Sequence, residues 1–150
     1  MELFGTDAID GYTIIVGCGR LGSKLPNLLS ANGENVLVID SKKDSFRKLT
    51  HAFGGLTLTG DATDITILRD ANIETASAVV AVTDNDNTNI MVAQIAKEMF
   101  NIEYVIARLY DPDREAVYNE FEINTICPAS LSADEIEKLL SESREVEAQK

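Results

Sequence analysis

The stretch that most restricts what this chain can become is Gly17-Cys18-Gly19-Arg20-Leu21-Gly22, because of what stands on either side of it. It closes the apolar run Tyr12-Thr13-Ile14-Ile15-Val16 and opens a segment with Leu21, Leu25, Leu28 and Leu29 at helical spacing, so the order reads strand, tight turn, helix. In that setting a G-x-G-x-x-G is a phosphate-binding turn. Gly17 permits the sharp bend, Gly19 lacks the Cβ that would hold a pyrophosphate off the backbone, and Gly22 lets the helix lie close to the strand. The free N–H groups of the first helical turn then face an anion. Asp40 closes the second apolar run, Asn35-Val36-Leu37-Val38-Ile39, at the distance where a carboxylate accepts both ribose hydroxyls. The alternative is a glycine-rich turn that binds nothing, and the two features together favour a nucleotide.

Behind that unit the pattern repeats. Lys42 to Phe53 places Phe46, Leu49, Thr50 and Phe53 on one helical face, and Gly54-Gly55 stops it in the manner of a C-cap. Leu56-Thr57-Leu58-Thr59 is a third strand. Asp61-Ala62-Thr63-Asp64 starts a helix faced by Ile65, Leu68 and Ala71, with Thr63 as a good N-cap and Asn72 suited to a left-handed cap. Ala78 to Val82 follows as a buried strand, with Thr83 as the next good N-cap. The longest helix is expected from Asp84 or Asp86 to Phe100. Its apolar positions, from Ile90 to Phe100, are more numerous than one surface stripe needs, which points to a subunit contact, with deep burial inside the chain as the alternative. A fifth strand spans Glu103 to Arg108, a helix Asp113 to Phe121, and a sixth strand Thr125 to Cys127, closed by Pro128. One more helix carries Ile136, Leu139 and Leu140, and the polar Ser141 to Lys150 is expected to fray. Pro26, inside the first helix, should kink it.

Apolar strands separated by helices predict a parallel sheet covered on both faces. The fold class is α/β: a Rossmann-type doubly wound sheet of six parallel strands in the order 3-2-1-4-5-6, with a C-terminal helix. Residues 1–11 form a lead-in, 12–141 the nucleotide-binding domain and 142–150 a polar tail. A chain of 150 residues with 45% hydrophobic content makes one domain, leaving nothing to form a separate substrate domain. The net charge of −12 repels a phosphate backbone, which argues against nucleic acid as a partner. With no apolar run of membrane-spanning length and no basic, apolar leader, the protein is expected in the cytoplasm.

The two cysteines supply neither a disulfide framework nor a metal set. Cys18 is either a thiol activated by the helix N-terminus or, more simply, a small residue in a tight turn. Cys127 is expected to pack and the lone His51 to lie at the surface or at a cap. Ligands of such a sheet bind at the carboxyl ends of the strands. The polar residues there are Arg20; Asp40 with Ser41 and Lys42; Asp61; Thr83 with Asp84; and Arg108. Each has a local alternative: Asp84 favours a helix start, Arg108 can pair with Asp111 or Asp113, and Lys42 and Lys43 can be solvated. Arg20 discriminates more, because a guanidinium at the phosphate turn can clamp a free mono-, di- or triphosphate. Asp40 opposes a 2′-phosphate and so argues against NADP. There is no nucleophile elbow, no Cys/His pair with a third member and no metal-ligand spacing, so an enzyme is the weaker reading.

Taken in order, Ile14 to Gly22, Val38-Ile39-Asp40, Gly60-Asp61-Ala62-Thr63, Val82-Thr83-Asp84 with Asn87 and Asn89, and Ile106-Ala107-Arg108 resemble the N-terminal nucleotide-binding lobe of the RCK (TrkA-N, KTN) family. That resemblance implies an adenine nucleotide, NAD(H), ATP, ADP or AMP, on the glycine turn, with Asp40 on its ribose. Arg20 would reach phosphates, Asp61 and Ala62 would border the adenine, and Thr83 and Arg108 would lie on the phosphate side. It implies a non-enzymatic regulatory subunit, peripheral to the inner face of the membrane through a potassium channel or transporter. Assembly as a homo-oligomer, a dimer or a larger ring, would convert ligand binding into a shift between geometries. The sequence departs from the family pattern by lacking the C-terminal lobe, so it is either one domain cut from a longer chain or a natural single-lobe subunit working beside a partner. It also departs by Ala129, where many members carry an acid that helps hold a metal at the phosphate. Two other functions remain open: the cofactor domain of an NAD-dependent oxidoreductase without its substrate domain, and a sensor acting on something other than a pore.

Overall fold

The computed structural model describes residues 11–149, so all but Gly11 of the expected lead-in lies outside the described residues. The six apolar runs form β1 (Tyr12–Val16), β2 (Asn35–Asp40), β3 (Leu56–Thr59), β4 (Ala78–Ala81), β5 (Tyr104–Arg108) and β6 (Asn124–Ile126). They pair in parallel in the order β3-β2-β1-β4-β5-β6, as the alternation with helices predicts. Ile14 lies between Leu37 and Val79, so β1 is the centre of the sheet and the strand order reverses beside it.

The pleat sends successive side chains to opposite faces. Ile14, Val16, Leu37, Ile39, Val79 and Ala81 pack on one face with Leu68 of α2 (Ile65–Asp70) and Ile90, Val92 and Ala93 of α3 (Asp86–Gln94). Ile15, Val36, Val38 and Val80 pack on the other, under Leu21, Leu25 and Leu29 of α1 (Arg20–Ala31). Pro26 is buried within α1, which runs unbroken through it. Outside the glycine turn, Tyr12 donates its hydroxyl to the Ala71 carbonyl, and burial pushes that phenol well above its usual range.

Several boundaries differ from the sequence expectation. Lys42 to Phe53 is not an α-helix: a 3-10 helix covers Lys43–Lys48, and the chain is extended at Leu49. Phe46 and Leu49, three apart, suit three residues per turn, and with Phe53 they still pack on the sheet. Gly54-Gly55 is not a cap either. A Cβ on Gly55 would strike the Val36 carbonyl and the Phe53 ring, so that glycine is there for close approach. Asp64 rather than Thr63 caps α2, accepting Thr66 N–H at 2.9 Å, while Asn72 takes the expected left-handed conformation at φ 55°. Asn85 rather than Thr83 caps α3.

The helix expected from Asp84 or Asp86 to Phe100 begins at Asp86 and opens into a π-helical turn over Ile95–Met99. Ile90, Val92, Ala93 and Ala96 are buried in this chain's own core, so most of the wide apolar face reflects intramolecular burial rather than a subunit contact. Met91 and Met99 alone of its large residues stay about half exposed. The expected helix from Asp113 is a 3-10 turn, Pro112–Arg114, followed by α4 (Glu115–Asn119). The longest helix is instead α5 (Pro128–Ala148), with 21 residues and none of them buried. It continues past Ser141 because Glu, Arg and Ala are strong helix formers even without packing. No helix among the described residues is long and apolar enough to cross a membrane.

Candidate functional site

At the carboxyl ends of β1 and β4 the glycine turn is held by contacts that admit no side chain. Gly17 sits at φ 103°, and its N–H donates to the Ile39 carbonyl at 2.7 Å, tying the turn to β2. A Cβ there would lie 2.8 Å from the Thr83 nitrogen. A Cβ on Gly22 would collide with the Gly17 carbonyl oxygen. Gly19 is different, with nothing within 4 Å of where its Cβ would be. The first turn of α1 contains no acid and has no side-chain cap, so the positive end of the helix dipole opens toward the cleft.

Asp40 is built into this turn. Its Oδ2 accepts Cys18 N–H at 2.8 Å, and its Oδ1 accepts Lys42 N–H at 2.8 Å. The carboxylate thus joins β1 to β2 while each oxygen keeps a second lone pair for a ligand hydroxyl. Cys18 is buried, and desolvation, then the Asp40 charge, push its thiol up, against a smaller opposite pull from Lys48. The activated-thiol reading is therefore corrected: Cys18 is a small packing residue. Cys127 is buried too. His51 lies exposed in a turn.

After β3, Asp61 accepts the Thr63 N–H at 2.9 Å and the Thr63 hydroxyl at 2.6 Å, which holds its carboxyl below the usual range. Ala62 beside it is buried. After β4 and β5 a polar lattice replaces the N-cap and ion pair expected there. Buried Asn89 of α3 accepts Thr83 N–H at 2.8 Å and the Thr83 hydroxyl at 2.6 Å, and donates to the carbonyls of Thr83 at 3.0 Å and Arg108 at 2.9 Å. Arg108 does not pair with Asp111 or Asp113. Its Nη2 donates to the carbonyls of Val82 at 2.9 Å and Thr83 at 2.8 Å, its guanidinium lies 5.0 Å from the Tyr110 ring centre, and its buried Nε–H has no partner. Asp111 instead faces Arg114 at 3.6 Å.

These elements enclose one cleft of about 750 Å³ at the strand-order reversal, within the usual range for a small-molecule site. Gly17, Cys18, Gly19, Arg20, Asp40, Ser41, Lys42, Asp61, Ala62, Thr83, Asp84 and Arg108 all line it. Leu21 and Gly22 do not, because Leu21 faces the core and Gly22 faces the Gly17 carbonyl. Ser45, Lys48, Asn85, Thr88 and Tyr110 line it without having been singled out. Lys48, whose Nζ reaches the Cys18 carbonyl at 3.5 Å, was hidden by assigning its segment to a regular α-helix. Tyr110 lies just beyond a strand end that was itself singled out, which is the signal that marks it. A chain of net charge −12 has therefore collected Arg20, Lys42, Lys48 and Arg108 around one cleft. A second hollow of about 580 Å³, lined by Glu98, Glu103, Glu120 and Glu122 near Lys97, has the wrong charge for a phosphate.

Comparison with known proteins bears on the family and the fold. Residues 13–128 match the model of the TrkA-N domain. The chain is 45% identical over 125 residues to the Trk system potassium uptake protein TrkA of Streptomyces coelicolor, covering 83% of this chain and 56% of that protein. It thus spans little more than half the length of that relative. Among solved structures, the TrkA-N domain of the inner membrane protein YbaL from Escherichia coli superposes with a TM-score of 0.78 at 23% identity, covering 88% of this chain and 98% of that one. The Shewanella denitrificans Kef C-terminal domain in its AMP-bound form gives 0.69 at 22% identity, over 86% and 80% of the two chains. The GsuK channel bound to NAD gives 0.67 at 19%, over 81% and 22%. At these identities the solved structures speak to the fold.

Proposed function

The chain belongs to the TrkA-N domain family, and from that premise we propose that it is a nucleotide-sensing regulatory lobe of a potassium transport system, not an enzyme. The observation that carries this reading is the cleft, in which an open glycine turn, a carboxylate fixed for a ribose and four cations converge. The ligand is an adenine nucleotide, NAD(H), ATP, ADP or AMP. NADP is excluded because its 2′-phosphate would be placed against Asp40. The naming of one structural neighbour for AMP and another for NAD supports adenosine as the shared recognition unit. Asp40 takes the ribose, the glycine turn and Arg20 take phosphates, and Asp61 with Ala62 borders the base. Among the described residues no group of His, Cys, Asp and Glu side chains is placed to hold a metal ion.

Thermal unfolding against AMP, ADP, ATP, NAD, NADH and NADPH, each with and without Mg²⁺, tests the ligand. A ligand at a hundred times its dissociation constant adds about 2.7 kcal/mol to the native state. Stabilisation by the adenine nucleotides other than NADPH, lost in Arg20→Ala, is the expected result. No response to any of them overturns the reading.

The lobe acts as a homo-oligomer at the inner face of the membrane, beside a channel or transporter subunit. Binding shifts the assembly because one geometry holds the nucleotide better than another. The self-associating face is α5, where Ile136, Leu139, Leu140 and Val146 are all more than half exposed on a helix with no buried residue. A helix of this length does not keep such a stripe in water without cover. Light scattering should show a dimer or larger species for the native chain and a folded monomer for the double variant Ile136→Asp, Leu139→Asp. An unchanged mass would move the interface elsewhere.

A further inference from the structure

Asn89 is fully buried, and each hydrogen-bonding position of its amide is used. Oδ1 accepts twice from Thr83, and Nδ2 donates once to the Thr83 carbonyl and once to the Arg108 carbonyl. An amide with both lone pairs and both protons engaged has one allowed orientation, and buried networks of this kind are rigid when complete. The group it fixes is the anchor of the Arg108 guanidinium. The Thr83 carbonyl that receives Asn89 Nδ2 also receives Arg108 Nη2, so the amide sets the position of the oxygen that aims the guanidinium. A second Asn89 bond holds the Arg108 backbone itself. Arg108 lines the cleft, and its Nε–H, closed off from solvent, has no protein partner.

Resting on the nucleotide reading above, we propose that Asn89 is a positioning residue for phosphate recognition. It does not reach the ligand. It holds the ends of β4 and β5 so that the Arg108 guanidinium is turned toward an oxyanion in the cleft, which also ties α3 to the occupancy of the cleft. If Asn89 only held two strand ends together, losing it would affect every ligand alike. If it positions Arg108, the loss falls on the phosphate and spares the nucleoside.

Calorimetric titration of adenosine and AMP into the native chain and into Asn89→Asp separates the two cases. The substitution keeps the size and the acceptors but not the donors. The neutral Asn89→Leu removes the same donors without adding a charge, and it must show the same pattern for the loss to be one of positioning and not of charge repulsion. AMP should weaken roughly ten- to a hundredfold, the range of a charge-assisted hydrogen bond, while adenosine keeps its affinity. Equal losses for both ligands, or none, overturn the proposal. Two nitrogen-15 NMR measurements keep it decidable if the cleft binds neither ligand or if the variant does not fold. In Asn89→Asp the protected Arg108 Nε–H resonance should move to the position and exchange rate of a solvated arginine, and its persistence overturns the proposal. In the native chain the Asn89 side-chain amide protons should exchange far more slowly than those of a free amide, and free-amide rates overturn it.

Discussion

Asp40→Ala is expected to cost this protein both stability and ligand, and the two losses have separate origins. Without nucleotide, the native carboxylate accepts two backbone N–H groups, from Cys18 and Lys42, one on each oxygen. Hydrogen bonds to a charged acceptor contribute about 1.5–3 kcal/mol each, and this pair lies at a partly exposed edge, so a total near 2 kcal/mol is the expectation. For a chain of this length that lowers the melting temperature by roughly 4–8 °C. The second loss is the ribose contact, and the nucleotide-induced rise in melting temperature should vanish. Asp40→Asn separates the two. Its amide oxygen can still accept one N–H, but its nitrogen then faces the other donor, so stability should fall between the native chain and Asp40→Ala. A ligand-free Asp40→Ala melting like the native chain would remove the structural role, and an intact nucleotide response would remove the ribose role.

That dual role was only half legible in the sequence. The position of Asp40 at the end of an apolar run points to the ribose role proposed above, but nothing in the sequence says that Cys18 and Lys42 N–H groups converge on it. The sheet was legible because β1, β2, β4 and β5 are short, mostly apolar runs bounded by turn residues, and parallel strands joined by helices leave few topologies. Helix character was harder. Phe46, Leu49 and Phe53 fit a helical face, yet the segment closes as a 3-10 turn, and that change brings Lys48 to the cleft. The apolar excess of α3 looked like an interface because sequence periodicity cannot tell a face buried under its own sheet from one buried under a neighbour. The stripe on α5 is visible in the sequence, but its polar continuation carries no apolar periodicity to mark it as helix. Asn89 was legible as part of a pattern and illegible as chemistry, since its role depends on which carbonyls meet inside the fold.

The glycine turn supplies the sharpest contrast, because two of its glycines should respond oppositely to the same methyl group. In an ordinary helix Gly→Ala gains close to 1 kcal/mol. At Gly22 the added Cβ would enter the Gly17 carbonyl, which β1 and β2 hold in place, so relief requires moving α1 off the sheet. Gly22→Ala is therefore expected to destabilise by about 3 kcal/mol or more, a fall of roughly 6–12 °C in melting temperature. At Gly19 the same methyl meets open space. The ligand-free Gly19→Ala protein should melt within a degree or two of the native chain. Yet the proposed nucleotide would bring a phosphate within hydrogen-bonding distance of the backbone in that open space, so nucleotide affinity of Gly19→Ala should drop at least tenfold. A Gly19→Ala protein that binds as well as the native chain would place the phosphate elsewhere in the cleft. A Gly22→Ala protein of native stability would show that α1 can shift on the sheet, and the turn would then be far less rigid than its contacts require.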